Sequence, residues 1–250
     1  MKPIRDRFSG HSDLYKKYRP EYPEALYRAI LEFCPGRQNS WDCATGNGQV
    51  ARELARHFKR VYATDISPNQ LKHAPFLDNV TYGVQRAEST SFDAHLFDLI
   101  TVAQAIHWFD IPAFFEEVKR VSRPGGVLAA WGYGLVSLGP QIDPVIAHFY
   151  REIAGPYWDG ERRIIDEQYR SIQFPLEAGI DLGAFSIERR FDLPGLHGYL
   201  SSWSSVQKYI GKHGANPVDE LVSELKPLWP KDTMLRAVFP LFGRLGHIVQ

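Results

Sequence analysis

Behind Pro23 the apolar residues Leu26, Ile30 and Phe33 recur at steps of four and three, the spacing of one face of a helix. Pro35-Gly36 stops that pattern. From residue 38 onward, short β-branched and apolar runs alternate with helical stripes. Residues 40–44 read as a strand, Gly46-Asn47-Gly48 as a turn, and Val50, Leu54 and Phe58 as a helix stripe with Arg52, Glu53 and Arg56 on its far side. Residues 61–64 make a second strand, ended by Asp65, and Ser67-Pro68 supplies a helix start with Ser as N-cap and Pro in the first turn. Residues 80–84 and 97–103 are the third and fourth strands. The fourth is almost continuously apolar, which predicts a strand covered on both faces, as in a parallel sheet. Asp110 caps a helix carrying Phe114, Phe115, Val118 and Val121. The turn Arg123-Pro124-Gly125-Gly126 then precedes a fifth strand over 127–131. This alternation predicts a doubly wound α/β sheet whose strand-end loops gather along one edge, where ligands sit.

Past residue 135 the rhythm changes. Residues 141–153 and 217–228 carry helical patterns, residues 185–191 alternate like a half-exposed strand, and residues 234–239 read as another strand. We divide a single domain, 1–250, into an arm and helix (1–36), a ligand-binding core (37–135), and a substrate-facing insertion with the final strands (136–250).

Composition narrows the function classes. The 29 basic and 29 acidic residues cancel, which disfavours nucleic acid as a partner. Cys34 and Cys43 are the only cysteines, so a disulfide framework is not expected and a reducing cytoplasm fits. The first residues lack the apolar stretch of a signal peptide, and no run is apolar enough to span a bilayer. No tight His/Cys cluster has metal-ligand spacing, so no metal is expected.

The chemistry concentrates in Trp41-Asp42-Cys43-Ala44-Thr45-Gly46-Asn47-Gly48-Gln49. A strand ends, glycines turn the chain, and a helix begins with its N–H groups facing the same place. By itself Gly-x-Gly also fits a plain tight turn. Asp65 lies about 20 residues further on, where an acid can take hydrogen bonds from ribose hydroxyls, and Ile66 behind it can lie against a flat base. Gly46-x-Gly48-x-x-Ala51 equally satisfies the spacing for a dinucleotide pyrophosphate, so nicotinamide chemistry stays open on spacing alone.

Beyond these residues the chain resembles class I S-adenosylmethionine-dependent methyltransferases, in the form of the trans-aconitate methyltransferase-like branch. Asp42 to Gln49 is similar to that family's first motif, Asp65 to the acid of its second, and Arg86-Ala87-Glu88 with Phe92 to its third. Residues 97–109, ending Gln104-Ala105-Ile106-His107-Trp108-Phe109, resemble the fourth. The segment before strand five and the arm Tyr18-Arg19-Pro20-Glu21-Tyr22-Pro23 resemble the same branch, as do Tyr199 to Ser204 more weakly. Two residues depart from the pattern: Ala44 stands where the first glycine is usual, and Arg86 where an acid often contacts the adenine amino group.

The resemblance implies a Rossmann-like seven-stranded sheet with the last strand antiparallel, and S-adenosylmethionine bound across the ends of strands one, two and four. It implies cofactor contacts from Tyr18, Arg19, Asp42, Ala44, Gly46, Gly48, Asp65, Ile66, Ala87, Glu88, Gln104 and Trp108. Arg19 would pair with the methionine carboxylate under a lid that includes Tyr22, and Trp108 would face the sulfonium. His107 is the candidate catalytic residue, taking a proton from the acceptor or positioning its oxygen. Arg162, Arg163, Tyr169 and Trp203 are candidates for a substrate pocket. The expected activity is methyl transfer to a small-molecule carboxylate or hydroxyl oxygen. The alternatives are a noncatalytic adenosylmethionine- or nucleotide-binding protein and an NAD-type oxidoreductase.

Overall fold

The computed structural model describes residues 20–249. Helix α1 (Glu24–Phe33) buries Leu26, Tyr27 and Ile30 and ends at Cys34, whose extended backbone returns its N–H to the Ile30 carbonyl. Five parallel strands follow: β1 (Asn39–Cys43), β2 (Arg60–Asp65), β3 (Val80–Val84), β4 (Phe97–Ala103) and β5 (Ser122–Tyr133). Their crossovers carry α2 (Gln49–Leu54), α3 (Pro68–Lys72) and α4 (Ile111–Val121). Both expected caps form. Ser67 Oγ accepts from Gln70 N at 3.3 Å, and Asp110 Oδ1 accepts from Ala113 N at 3.4 Å. The Arg123–Gly126 turn proves to be a bulge inside β5. Phe97 pairs with Ser122 and Leu99 with Val127, so residues 123–126, with Gly125 at φ +74°, stand opposite Asp98 alone and three extra residues loop out from the ladder.

The continuous apolar runs are explained by cover on both sides. Leu99, Val127, Ala129 and Trp131 join one core with α1 and α2, while Ile100, Val102, Leu128 and Ala130 join the other with Phe114 and Val118 of α4.

Five more helices and three strands complete the described residues: α5 (Asp143–His148), α6 (Arg162–Asp166), β6 (Leu176–Asp181), β7 (Ser186–Phe191), α7 (Leu193–Ser201), α8 (Ser204–His213), α9 (Val218–Leu225) and β8 (Leu235–Ile248). The sheet order is β3-β2-β1-β4-β5-β8-β6, with β7 also on β8. β8 runs antiparallel to β5, from Tyr133↔Leu241 to Val127↔His247. β6 and β7 succeed one another along its outer edge, joined by one turn of 3-10 helix at Leu182–Ala184. Eight strands thus fill seven lanes, and the last strand in sequence is the antiparallel one, as the resemblance implies.

The cap over the strand ends comes in two pieces. One, between β5 and β6, holds α5 and α6. The other, between β7 and β8, holds α7, α8 and α9. They meet in an aromatic cluster around Trp203, whose ring lies 5.6–6.3 Å from those of Phe149, Tyr150, Trp158 and Tyr199. No helix of the described residues is long and apolar enough to cross a membrane.

Candidate active site

The ends of β1, β2, β4 and β5 line one edge of the sheet. After β1 the backbone enters the left-handed region three times in five residues, at Ala44 (φ 55°), Gly46 (58°) and Gly48 (79°). The resulting coil delivers the chain to α2. The two glycines are required for different reasons. Nothing lies within 3.8 Å of where a Cβ on Gly46 would stand, the nearest atom being Gln70 Oε1 at 3.9 Å. A Cβ on Gly48 would come to 2.9 Å from Tyr82 Oη. Gly46 therefore keeps its main chain accessible, while Gly48 is packed from behind.

Two carboxylates hold this loop. Asp42 is fully buried beneath it and accepts from the Thr45 hydroxyl and, at 2.9 Å, from Thr101 Oγ1. Burial pushes its carboxyl up to about 6, with both hydroxyl bonds pulling the other way. Asp65 bridges the two loops: Oδ2 accepts from Gly46 N at 2.9 Å and Oδ1 from Ser67 N at 2.8 Å. Beside it, Ile66 is 39% exposed, an apolar surface left open next to a carboxylate.

Ala87 is buried. Glu88 turns to the protein: Oε1 accepts from Asp110 N at 3.0 Å and Oε2 from Arg86 Nε at 3.3 Å, tying the loop after β3 to the start of α4. Gln104 follows β4 with φ 55°. Gln104 N donates to Trp131 O at 2.7 Å, and its Oε1 accepts from Tyr133 N at 2.9 Å. A single 3-10 turn, Ile106–Trp108, then places His107, almost fully buried, against Trp108 at 4.7 Å between ring centroids.

Gln104, His107 and Trp108 form one wall of a partly open pocket. Trp158, Tyr199 and Trp203 of the cap line it as well, with Arg162 and Asp159 as its oppositely charged groups. Arg162 and Trp203 therefore stand where the sequence suggests. Arg163 lies outside, well exposed and paired with Glu167 at 3.2 Å. Tyr169 does not line the pocket but is buried edge-on to Phe242 at 4.9 Å. Tyr22 packs edge-on to Trp131 at 5.3 Å, while Tyr18 and Arg19 lie outside the described residues. Trp158 and Asp159 went unmarked in the sequence, since an isolated Trp-Asp-Gly turn carries no periodicity. Among the described residues no group of three or more His, Cys, Asp or Glu is placed to hold a metal ion.

Known proteins share this architecture. Residues 41–130 match the family described as a methyltransferase domain. A candidate methyltransferase of Dictyostelium discoideum is 34% identical over 236 residues, covering 93% of this chain and 86% of that one. The solved structure of a candidate type II methyltransferase from Anaeromyxobacter dehalogenans is similar at a TM-score of 0.83 and 36% identity, over 93% of this chain and 99% of that chain. A malonyl-[acyl-carrier protein] O-methyltransferase of Hahella chejuensis is 34% identical over 122 residues, 46% of this chain and 43% of its own length.

Proposed function

Since the chain belongs to the class I S-adenosylmethionine-dependent methyltransferases, we propose that it methylates an oxygen, of a carboxylate or a hydroxyl, on a small-molecule acceptor seated in the aromatic pocket. The observation that carries this is the shared border between glycine-lined loop and pocket. β1 and β4 pair in parallel up to Cys43↔Val102. The residues just beyond, Ala44 and Gln104, leave the sheet at the same left-handed φ of 55°. Ala44 opens the glycine loop, and Gln104 lines the pocket.

S-adenosylmethionine is the cofactor, and the residues present fit it. Gly46 leaves room for close main-chain approach. A carboxylate offers about four acceptor sites, so Asp65 can hold the loop and still take ribose hydroxyls. Ile66 presents an open apolar face to a base. Held there, the cofactor would supply an activated methyl group for in-line transfer to the acceptor oxygen, with its thioether as the leaving group. The face of Trp108 tolerates the sulfonium charge. His107, buried at the junction, takes the proton from a hydroxyl acceptor; a carboxylate acceptor needs no base. An oxygen acceptor agrees with the O-methyltransferase name of the Hahella chejuensis relative. The buried, unpaired thiols of Cys34 and Cys43 suit a reducing compartment such as the cytoplasm.

Thermal melting with adenosylmethionine, adenosylhomocysteine and NAD tests the cofactor site, because a ligand of the native state raises Tm. The first two are expected to stabilise the protein and the third to leave it unchanged. Asp65→Ala is expected to weaken adenosylhomocysteine about a hundredfold, the loss of two hydrogen bonds to a charged group. Stabilisation by NAD alone, or wild-type affinity in the variant, would remove the proposal.

A further inference from the structure

Arg162 is held in the pocket wall in an unusual way. Its guanidinium carbon lies 4.4 Å from the ring centroid of Trp158 and 5.3 Å from that of Tyr150. Nε donates to Tyr150 Oη at 2.7 Å, and Tyr150 in turn donates to Asp166 Oδ1 at 2.5 Å. Burial pushes the Tyr150 phenol up to about 12, so it stays protonated and this relay keeps its direction. Asp166 also approaches Nε directly, at 3.6 Å. The polar contacts all engage Nε, while the guanidinium carbon lies over the two rings. The two terminal amino groups have no hydrogen-bond partner among the described residues, although the side chain is only 19% exposed. Close by, the indole Nε1 of Trp158 is buried and likewise lacks a partner among the described residues. The other charged group of the lining, Asp159, is already answered by Lys208 Nζ at 2.7 Å.

Aromatic walls with a rigid planar cation in them select for one kind of molecule. We infer that Arg162 is the specificity-determining residue for the acceptor: its terminal amino groups grip a carboxylate on an otherwise flat, apolar molecule, with Trp158 Nε1 as a supporting donor. The inference rests on the proposed methyl transfer in this pocket and names the acceptor class. Two parallel N–H groups match the two oxygens of a carboxylate, and an arginine already fixed by its neighbours loses little freedom on binding. A carboxylate so gripped shares its charge with the guanidinium and is a poor nucleophile. The oxygen that receives the methyl is therefore a second one on the same molecule.

The test uses protein saturated with adenosylhomocysteine and titrated with benzoate, cinnamate, indole-3-acetate and decanoate, each beside its primary amide. At least one aromatic acid is expected to bind about tenfold or more tightly than its amide, the range of one charge-assisted hydrogen bond. Arg162→Gln is expected to erase that preference while leaving the affinity for adenosylhomocysteine unchanged. Arg162→Lys, which keeps the charge and loses the fork, is expected to restore part of it. The inference is overturned if no acid of the panel binds, if acids and amides bind alike, or if Arg162→Gln retains the preference. Should that variant fail to fold, the wild-type acid-to-amide ratio and Arg162→Lys decide. Failure of adenosylhomocysteine itself to bind would instead remove the proposed function.

Discussion

The two sides of the crevice are made of different material. At the ends of β1 and β2 the lining is main chain, turned by three left-handed residues and pinned by Asp42 and Asp65. Across Gln104, at the ends of β4 and β5, it is side chain, with Trp158 and Arg162 from one piece of the cap and Tyr199 and Trp203 from the other. Main chain presents the same N–H groups whatever the sequence, so such a surface suits a cofactor common to many enzymes. A side-chain surface changes with each substitution, so it suits an acceptor that differs between them. Relatives can keep the first and rebuild the second. This agrees with the match of the family to residues 41–130 alone, a span that ends before the cap.

If the two sides are independent, damage to one should spare the other. The largest effect is expected at Trp203, almost fully buried at the centre of the aromatic cluster. Trp203→Ala should cost about 3–5 kcal/mol, the usual range for emptying such a site, measured by urea unfolding. Adenosylhomocysteine affinity of the folded fraction should stay within about twofold, as for distant, uncoupled sites. A parallel loss of affinity would show that cap and glycine loop act as one unit, and the contrast would fail.

Next in size is Asp42. Its carboxyl is raised by burial to about 6, so the folded state holds its proton more tightly than the unfolded state. The stability this contributes is complete below the ordinary carboxylate pKa of about 4 and is lost as pH rises through about 6. Relative to Asp42→Asn, the wild-type protein should therefore lose up to about 3 kcal/mol between pH 4 and pH 7, the linkage value of such a shift. Chemical unfolding across that range reads the difference. A difference independent of pH would place the proton elsewhere.

The smallest effect sharpens the comparison. Ala44 holds a left-handed φ of 55° that favours glycine. Ala44→Gly should stabilise the protein by at most about 1 kcal/mol through relief of that strain, visible as a rise in Tm. A fall would mean that the Ala44 methyl, which packs against the core beneath α4, outweighs the strain.

The strands β4 and β5 were legible because both of their faces are covered, so residue after residue must be apolar. The loop after β1 was legible because left-handed turns demand glycine. The outer strand β6 was not, since Leu176–Asp181 is mostly exposed and its polar residues hide the alternation. α7 was missed for the opposite reason. Leu196, Gly198, Tyr199, Leu200 and Ser201 are all buried, which removes the stripe that marks a helix, although its Asp192 cap, accepting from Gly195 N at 2.7 Å, and Pro194 were on the page. Glu88 shows a further limit. Its place in a motif suggested the cofactor, and nothing in the sequence signalled that its oxygens also accept from Asp110 N and Arg86 Nε, contacts that only the tertiary structure brings together.

The sequence by itself determined the strands β1 to β5, the loop after β1 and the acid that faces it, because each depends on residues close together in the chain and on backbone rules that hold in any fold. Only the tertiary structure decided which aromatic rings meet, that Arg162 packs over two of them, and that Tyr169 is buried outside the pocket. Those facts arise from contacts between segments far apart in sequence, where packing selects among side chains that local pattern leaves equivalent.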